Sequence, residues 1–215
     1  MIPRSRLRSA NDRPVRGDRQ FVLYWMVSAR RLGWNWGLQH AAEEARRLDL
    51  PLVVFEPLRV GYRWASVRFH RFVIEGMRDQ RDALRGSPVF YYPYVEPQHG
   101  AGRGLLEALA ARSALVVTDD FPAFFLPRMV SAAADRLDVR AVAVDSNGLL
   151  PMAVPDRTFT TAYSFRRFLQ KTLPDHLPDL PAPDPLKDDL RPLAEGTLAG
   201  VLAEWPMADV DELLG

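Results

Sequence analysis

Short apolar runs alternate along this chain with stretches in which apolar residues recur every third or fourth position. Phe21–Met26 (FVLYWM) is aromatic and β-branched with no Pro or Gly, which suits a strand buried on both faces. A polar loop, Val27–Gly33, carries Ser28, Arg30 and Arg31. Trp34, Leu38, Ala41, Ala45 and Leu48 then fall at helical spacing, with Glu43, Glu44, Arg46 and Arg47 turned away, and Asn35 stands as the N-cap. The rest repeats this unit. Pro51–Pro57 is a second buried strand, and Ser66 caps a helix through Phe69, Phe72, Val73, Gly76, Met77 and Leu84. Val89–Tyr94 is a third strand, whose Pro93 must lie near its end or on a sheet edge. Leu105, Leu106 and Leu109 mark a short helix. Ala114–Thr118 is a fourth strand running into Asp119–Asp120. Pro127 opens a helix with Val130, Ala133, Ala134 and Leu137 inside, and Val139–Val144 is a fifth strand ending at Asp145.

Strands alternating with helices at this density predict an α/β fold, a Rossmann-like five-stranded parallel sheet of order 3-2-1-4-5 flanked by helices. In such sheets ligands sit beyond the carboxyl ends of the strands, where the winding direction reverses. The expected site therefore lies between the loop after strand one and the loop after strand four.

Past Val144 the pattern changes. Thr158–Leu173 reads as a helix bearing Phe159, Tyr163, Phe165, Phe168 and Leu169 with Arg166, Arg167 and Lys171. Pro174, Pro178, Pro181, Pro183, Pro185 and Pro192 then favour an extended, semi-rigid connector, followed by about two helical turns around Leu198, Val201 and Leu202. The expected organisation is a basic mobile tail (1–19), an α/β domain (20–173), and a Pro-rich linker with a short C-terminal helical segment (174–215).

Composition sharpens this only locally. The 215 residues are 47% hydrophobic, enough for a full core, and Lys+Arg 28 against Asp+Glu 27 leaves a net charge of +1, which neither invites nor excludes a polyanion. Arg4, Arg6, Arg8, Arg13, Arg16 and Arg19 crowd the first 19 residues, which contain few large apolar ones; hence the expectation of a mobile tail rather than a nucleic-acid arm. The chain has no cysteine, which excludes disulfides, thiolate catalysis and cysteine metal sites. No apolar run reaches membrane-spanning length, and a cytoplasmic setting is expected.

Candidate chemistry is sparse. No GxGxxG or Walker-type motif occurs, and Gly100, Gly102 and Gly104 form only a spaced set better read as a flexible loop. His40, His70, His99 and His176 lie far apart and make no metal-binding pair, and no Ser-His-Asp set can be assembled, so neither catalytic nor metal residues are assigned. Asp119–Asp120 could orient a ligand or magnesium, or could serve strand-end hydrogen bonding. Trp25, Trp34, Trp36 and Trp64 gather near the expected crevice, where core packing and stacking against a planar ligand are both open. The residues alone reach a nucleotide- or flavin-type fold without visible catalytic machinery.

Several stretches, taken in order, resemble one family. Phe21–Phe55, with its YWM strand, arginine-bearing loop and Asn-Trp-x-Leu helix start, resembles the opening of class II cyclobutane-pyrimidine-dimer DNA photolyases. VRFHRFVIEGMRDQRDAL, LVVTDDFPAFFLPRMV, VRAVAVDSNGLLPMAV and FTTAYSFRRFLQKTLPDHL are similar to later segments of the same domain, so that the resemblance covers residues 20–178. The chain departs from the family where Val27–Ser28–Ala29–Arg30 replaces Arg-Asp-Gln-Arg, where Phe124 replaces an arginine, and where Tyr163 replaces another.

The resemblance implies the α/β domain of a photolyase, a carbon-carbon lyase that repairs DNA by photoreactivation. It implies a deazaflavin-type antenna near Met26, Ser28, Arg30, Asn35, Thr118 and Asp119. FAD, the lesion and the electron transfer would belong to a helical domain, in cis or in trans, that follows the linker. Damaged DNA would be met only through that domain, and this chain alone would be inactive. An apolar docking face could also pair two copies as a homodimer. The alternative is a stand-alone nucleotide- or flavin-type binding or protein-interaction module that has lost repair.

Overall fold

The computed structural model describes residues 2–215. Its centre is a six-stranded sheet of β1 (Leu7–Ser9), β2 (Phe21–Trp25), β3 (Leu52–Leu58), β4 (Phe90–Val95), β5 (Ser113–Asp119) and β6 (Ala141–Val144). The order is β1-β6-β5-β2-β3-β4, with β2 through β6 parallel and β1 antiparallel to β6. The five parallel strands stand in the expected order 3-2-1-4-5, and β1 adds a sixth at one edge. Pro93 lies in β4, the opposite edge, where a missing N–H costs the ladder nothing.

Alternation along each strand sorts the core into two layers. Phe21, Leu23 and Trp25 face one way, with Val53, Phe55 and Val116, toward α3 (Leu105–Ala110) and α4 (Leu126–Ala134). Val22, Tyr24 and Met26 face the other way, toward α1 (Trp36–Leu48), with Leu38, Ala41, Ala42 and Ala45 fully buried. Three alanines on that face let α1 lie close to the sheet. Gly37 allows the closest approach, because a Cβ there would stand 3.0 Å from the Tyr24 ring and 3.1 Å from Asp119 Oδ1.

The caps are as the sequence predicts. Asn35 Oδ1 accepts the Leu38 amide at 3.0 Å, and the Ser66 hydroxyl accepts that of Phe69 at the start of α2 (Val67–Ala83). Pro127 sits in the first turn of α4. The helix expected over Thr158–Leu173 forms over Ala162–Thr172 (α5), where Thr161 caps it, and continues as a 3₁₀ turn over Leu173–His176.

Both ends of the chain differ from expectation. The basic stretch expected as a mobile tail is a 3₁₀ turn, Arg4–Arg6, leading into β1. The reason is Arg6, whose guanidinium is buried and donates to the carbonyls of Asp145 (3.2 Å), Gly148 (3.1 Å) and Leu149 (2.7 Å) while lying over the Trp36 ring. Burial lowers its pKa, and the nearby Asp145 carboxylate offsets part of that. Arg8 adds a bidentate pair with Asp120 at 2.8 Å for each bond. Donors supplied by arginine thus share the anchoring with Ile2, which is buried in the layer under α1, and Leu7 beside it.

The Pro-rich segment, expected as a connector, folds back along the domain. Ala182 accepts the Trp34 amide and donates to Gln39 Oε1, and its neighbour Pro183 passes so close that a Cβ on Gly33 would lie 2.6 Å from its carbonyl oxygen. Leu186 and Leu190 pack on the α1 side of the sheet. Leu193, Leu198, Val201 and Trp205 then pack on the other side. The strap ends in α6 (Ala199–Glu204) and α7 (Val210–Leu214), the latter buried against Ile74 and Met77 of α2. No helix among the described residues is long and apolar enough to cross a membrane.

Candidate functional site

At the carboxyl end of the sheet each strand hands its chain to a loop, and buried carboxylates fix three of those loops. Asp119, at the end of β5, accepts the amides of Val27 (2.9 Å), Ser28 (2.8 Å) and Ala29 (3.0 Å) through Oδ2. Its Oδ1 accepts the Tyr24 hydroxyl at 2.6 Å. Tyr24 is fully buried, and its pKa is driven well above the usual value by burial first and by the Asp119 charge second. Asn35 completes this loop by donating to the carbonyls of Ala29 and Arg31, both at 2.9 Å.

Glu56, on β3, has no exposed surface. It pairs with Arg30 at 2.7 Å and accepts from Gln80 Nε2 (2.7 Å) and the Tyr91 hydroxyl (2.6 Å). Burial, and then the Glu56 charge, raise the Tyr91 pKa, so the phenol stays a donor. Arg30 also donates to the Pro57 carbonyl at 2.7 Å. Glu96, just past β4, takes the Val60 amide at 3.1 Å, Gly100 at 2.8 Å and Gly102 at 3.4 Å, tying the loop after β3 to the loop after β4.

Between these loops opens a groove of about 870 Å³. Trp25, Phe55 and Tyr94 line it from three adjacent strands, together with Phe69 and Phe72 of α2, Leu106 of α3 and Met129 of α4. Its rim is aromatic. Trp64 stands edge-on to Phe124, with ring centroids 5.8 Å apart, and Tyr62 is 6.3 Å from Phe125. The rings thus bridge the loop after β3 and the loop after β5. Such a cleft, mostly apolar with a few polar groups at its edge, is the usual form of a site for a flat organic ligand.

Of the residues expected to hold a chromophore, Arg30 lines this groove. Met26 is fully buried in the layer under α1, and Thr118 donates to the Trp25 carbonyl at 2.8 Å. Asn35 and Asp119 are occupied in shaping the loop, so of the two roles open for Asp119 the geometry gives strand-end hydrogen bonding. Ser28 contributes its amide to that same loop. Of the clustered tryptophans, Trp25 and Trp64 reach the groove, while Trp36 packs in the core. Among the described residues no group of His, Cys, Asp or Glu could hold a metal ion. Sequence reasoning missed Glu56 and Glu96, although a carboxylate at the end of an otherwise apolar run, as in LVVFEP and FYYPYVE, was a usable signal.

Comparison with known proteins agrees with this architecture. The family model for DNA photolyase matches residues 22–185. The deoxyribodipyrimidine photo-lyase of Methanothermobacter thermautotrophicus is 30% identical over 176 residues, 80% of this chain and 38% of that protein. Those of Arabidopsis thaliana and Potorous tridactylus are 28% and 26% identical, over 77% and 80% of this chain and 34% and 32% of theirs. The chain thus spans about a third of the length of these relatives. With a matching family model over most of its length and a parallel sheet that opens a groove at its carboxyl edge, the chain belongs to the DNA photolyase family, as the amino-terminal α/β domain of that architecture.

Proposed function

We propose that this chain is the antenna-type α/β domain of a class II-like DNA photolyase, contributing to light-driven repair of cyclobutane pyrimidine dimers only together with a FAD-binding helical domain. The observation that carries the antenna part is the aromatic-walled groove. A flat tricyclic ring would be received among Phe69, Phe72, Leu106, Met129, Trp25 and the rim pair Trp64 and Phe124, all of which line the groove. A deazaflavin-type chromophore held there would supply light absorption, and this chain's residues would bind it, orient it and keep water from its faces. The contact set is the groove lining with Arg30, in place of the set around Asn35, Thr118 and Asp119.

The docking face this reading gives to the helical domain is α5. It has no buried residue, and Tyr163 and Phe165 are exposed beside Arg166 and Arg167. Damaged DNA would reach the complex through the helical domain, in a cytoplasmic setting, and in the absence of that domain a second copy of the chain could cover the same face.

The test is an absorption spectrum from the near-ultraviolet to the blue, on the purified chain and after adding 8-hydroxy-deazariboflavin or FAD. A shifted, bound band with deazaflavin and none with FAD is the expected result. A spectrum unchanged by both would overturn the antenna assignment. Repair is checked by light-dependent loss of dimers from ultraviolet-irradiated DNA; loss with this chain alone would overturn the division of labour.

A second reading, a stand-alone binding module, draws on the strap. Residues 182–214 fold back onto both faces of the sheet, so the α/β unit closes its core from within. Retention of a groove ligand by the chain alone, with no change when the helical domain is supplied, would favour it.

A further inference from the structure

Most charges in the groove are settled from within the fold. Arg30 is held by Glu56 and the Pro57 carbonyl, Arg136 pairs with Glu107 at 3.1 Å, and Glu96 is occupied by three amides. Two guanidinium groups are left over. Arg59 and Arg103 both line the groove, both are exposed, and neither side chain makes an ion pair or hydrogen bond among the described residues.

Their placement is not casual. Glu96 Oε2 accepts from Val60, the residue after Arg59, and Oε1 accepts from Gly100 and Gly102, the latter next to Arg103. One buried carboxylate therefore fixes the backbone under both arginines and holds their loops in step. Gly61 and Gly102 let neighbouring rings pack directly on these loops: a Cβ at Gly61 would overlap the His99 ring, and one at Gly102 would stand 3.1 Å from the Tyr94 ring.

Other parts of the rim are apolar and strained. Phe124 is 73% exposed and Trp64 53% exposed, yet they pair edge to face. Phe124 holds a left-handed backbone at φ +60°, which costs a bulky residue about 1 kcal/mol or more and sets its ring on the rim.

We propose that the groove takes a ligand in two parts: a flat conjugated ring, covered by Trp64 and Phe124, and an anionic tail, a phosphate or carboxylate, received by Arg59 and Arg103. The inference rests on the chromophore reading above and adds the tail to it. A neutral ligand would leave both guanidinium groups facing water and gain nothing from them. A phosphate would gain charge-assisted bonds, which at so exposed a place weaken as salt rises.

The experiment is a fluorescence titration with two matched pairs, 8-hydroxy-deazariboflavin against its phosphate ester and riboflavin against FMN. Each is run at low and high salt on the wild-type chain and on Arg59→Gln, Arg103→Gln, the double variant and Phe124→Ala. The phosphate member of a pair should bind about tenfold tighter or better, the preference should shrink in salt, and the double arginine variant should lose it. Phe124→Ala should weaken both members alike. Equal affinity within each pair, or a preference that survives in the double variant, would overturn the tail assignment and leave the groove assignment standing. If no member of either pair binds the wild-type chain, the chromophore reading fails and the tail assignment falls with it.

Discussion

Tyr24 donates its hydroxyl hydrogen bond to Asp119 Oδ1 at 2.6 Å across the boundary between β2 and β5, while Oδ2 of the same carboxylate gathers three successive amides of the loop after β2. One buried side chain thereby converts the end of a strand into a defined turn. Asp119→Ala leaves those amides without an acceptor and should cost roughly 3 kcal/mol or more of unfolding free energy, since each orphaned buried donor costs about 1–3 kcal/mol. Tyr24→Phe removes that bond and the one its hydroxyl accepts from Asn35 Nδ2 at 3.1 Å, and should cost about 1–3 kcal/mol. Urea denaturation of both variants measures this. If Asp119→Ala were as stable as wild type but lost ligand, the carboxylate would be a ligand contact instead.

The Arg30–Glu56 pair makes a second, separable prediction. Glu56 is fully enclosed while Arg30 is partly open to solvent, so Arg30→Ala strands a buried charge. The expected loss is about 2–4 kcal/mol, somewhat under that of a wholly enclosed pair. Adding Glu56→Gln to Arg30→Ala should restore part of it, because an amide can remain neutral beside Tyr91 and Gln80. A double-mutant cycle by chemical denaturation reads the coupling directly. Simple additivity of the two changes would show that Arg30 contributes nothing through Glu56.

These carboxylates mark the boundary of what the sequence discloses. The strand order, the caps at Asn35 and Ser66 and the edge position of Pro93 all follow from period, punctuation and local chemistry, which act over a few residues. Asp119 is conspicuous in the sequence as an acid at a strand end, but its role depends on Tyr24 and the 27–29 amides, far away in the chain. Arg6 is harder still. A tail rich in arginine and poor in apolar residues has the composition of disorder, and what makes it an anchor lies far off in the chain: the carbonyls of 145–149, about 140 residues away, Asp120 and the edge of β6. The groove's rim is likewise assembled from two loops whose aromatic residues meet only after the sheet has formed.

Arg6 can therefore be tested as an anchor. Arg6→Lys preserves charge but cannot span several carbonyls with a planar fork, and Arg6→Met preserves only bulk. Both should expose the first residues to limited proteolysis and lower stability by about 2–4 kcal/mol. A protease pattern unchanged in both variants would mean that β1 holds without the guanidinium.

Acid should weaken the fold in part through His40. Burial keeps its imidazole pKa below the ordinary value, against the opposing pull of Glu44 and Glu43. A base with a lowered folded pKa takes up its proton more readily in the unfolded chain. Its contribution to stability is therefore complete above about pH 6.5 and is lost as pH falls toward the folded pKa. His40→Gln should flatten the dependence of the urea midpoint between about pH 7 and about pH 5. An unchanged slope would assign the acid sensitivity to other groups.

The strap supplies the last prediction, because it touches both walls of the groove. Trp205 donates from its indole N–H to the Ala101 carbonyl at 2.9 Å and accepts the Tyr92 hydroxyl on its own carbonyl, so it holds the Gly100–Gly104 loop from behind. On the far wall, Asp211 of α7 pairs with Arg81 of α2 at 2.7 Å, and Val210 and Leu214 fill the space beside Met77. Trp205→Ala opens a cavity at a half-buried site and should cost about 2–4 kcal/mol. Its distinguishing effect is local: amide exchange should accelerate across residues 100–104 more than across α1, which the indole does not touch. Leu214→Ala should instead loosen α2 and leave the glycine loop unchanged. Uniform acceleration in both variants would mean that the strap stabilises the domain as a whole without shaping either wall of the groove.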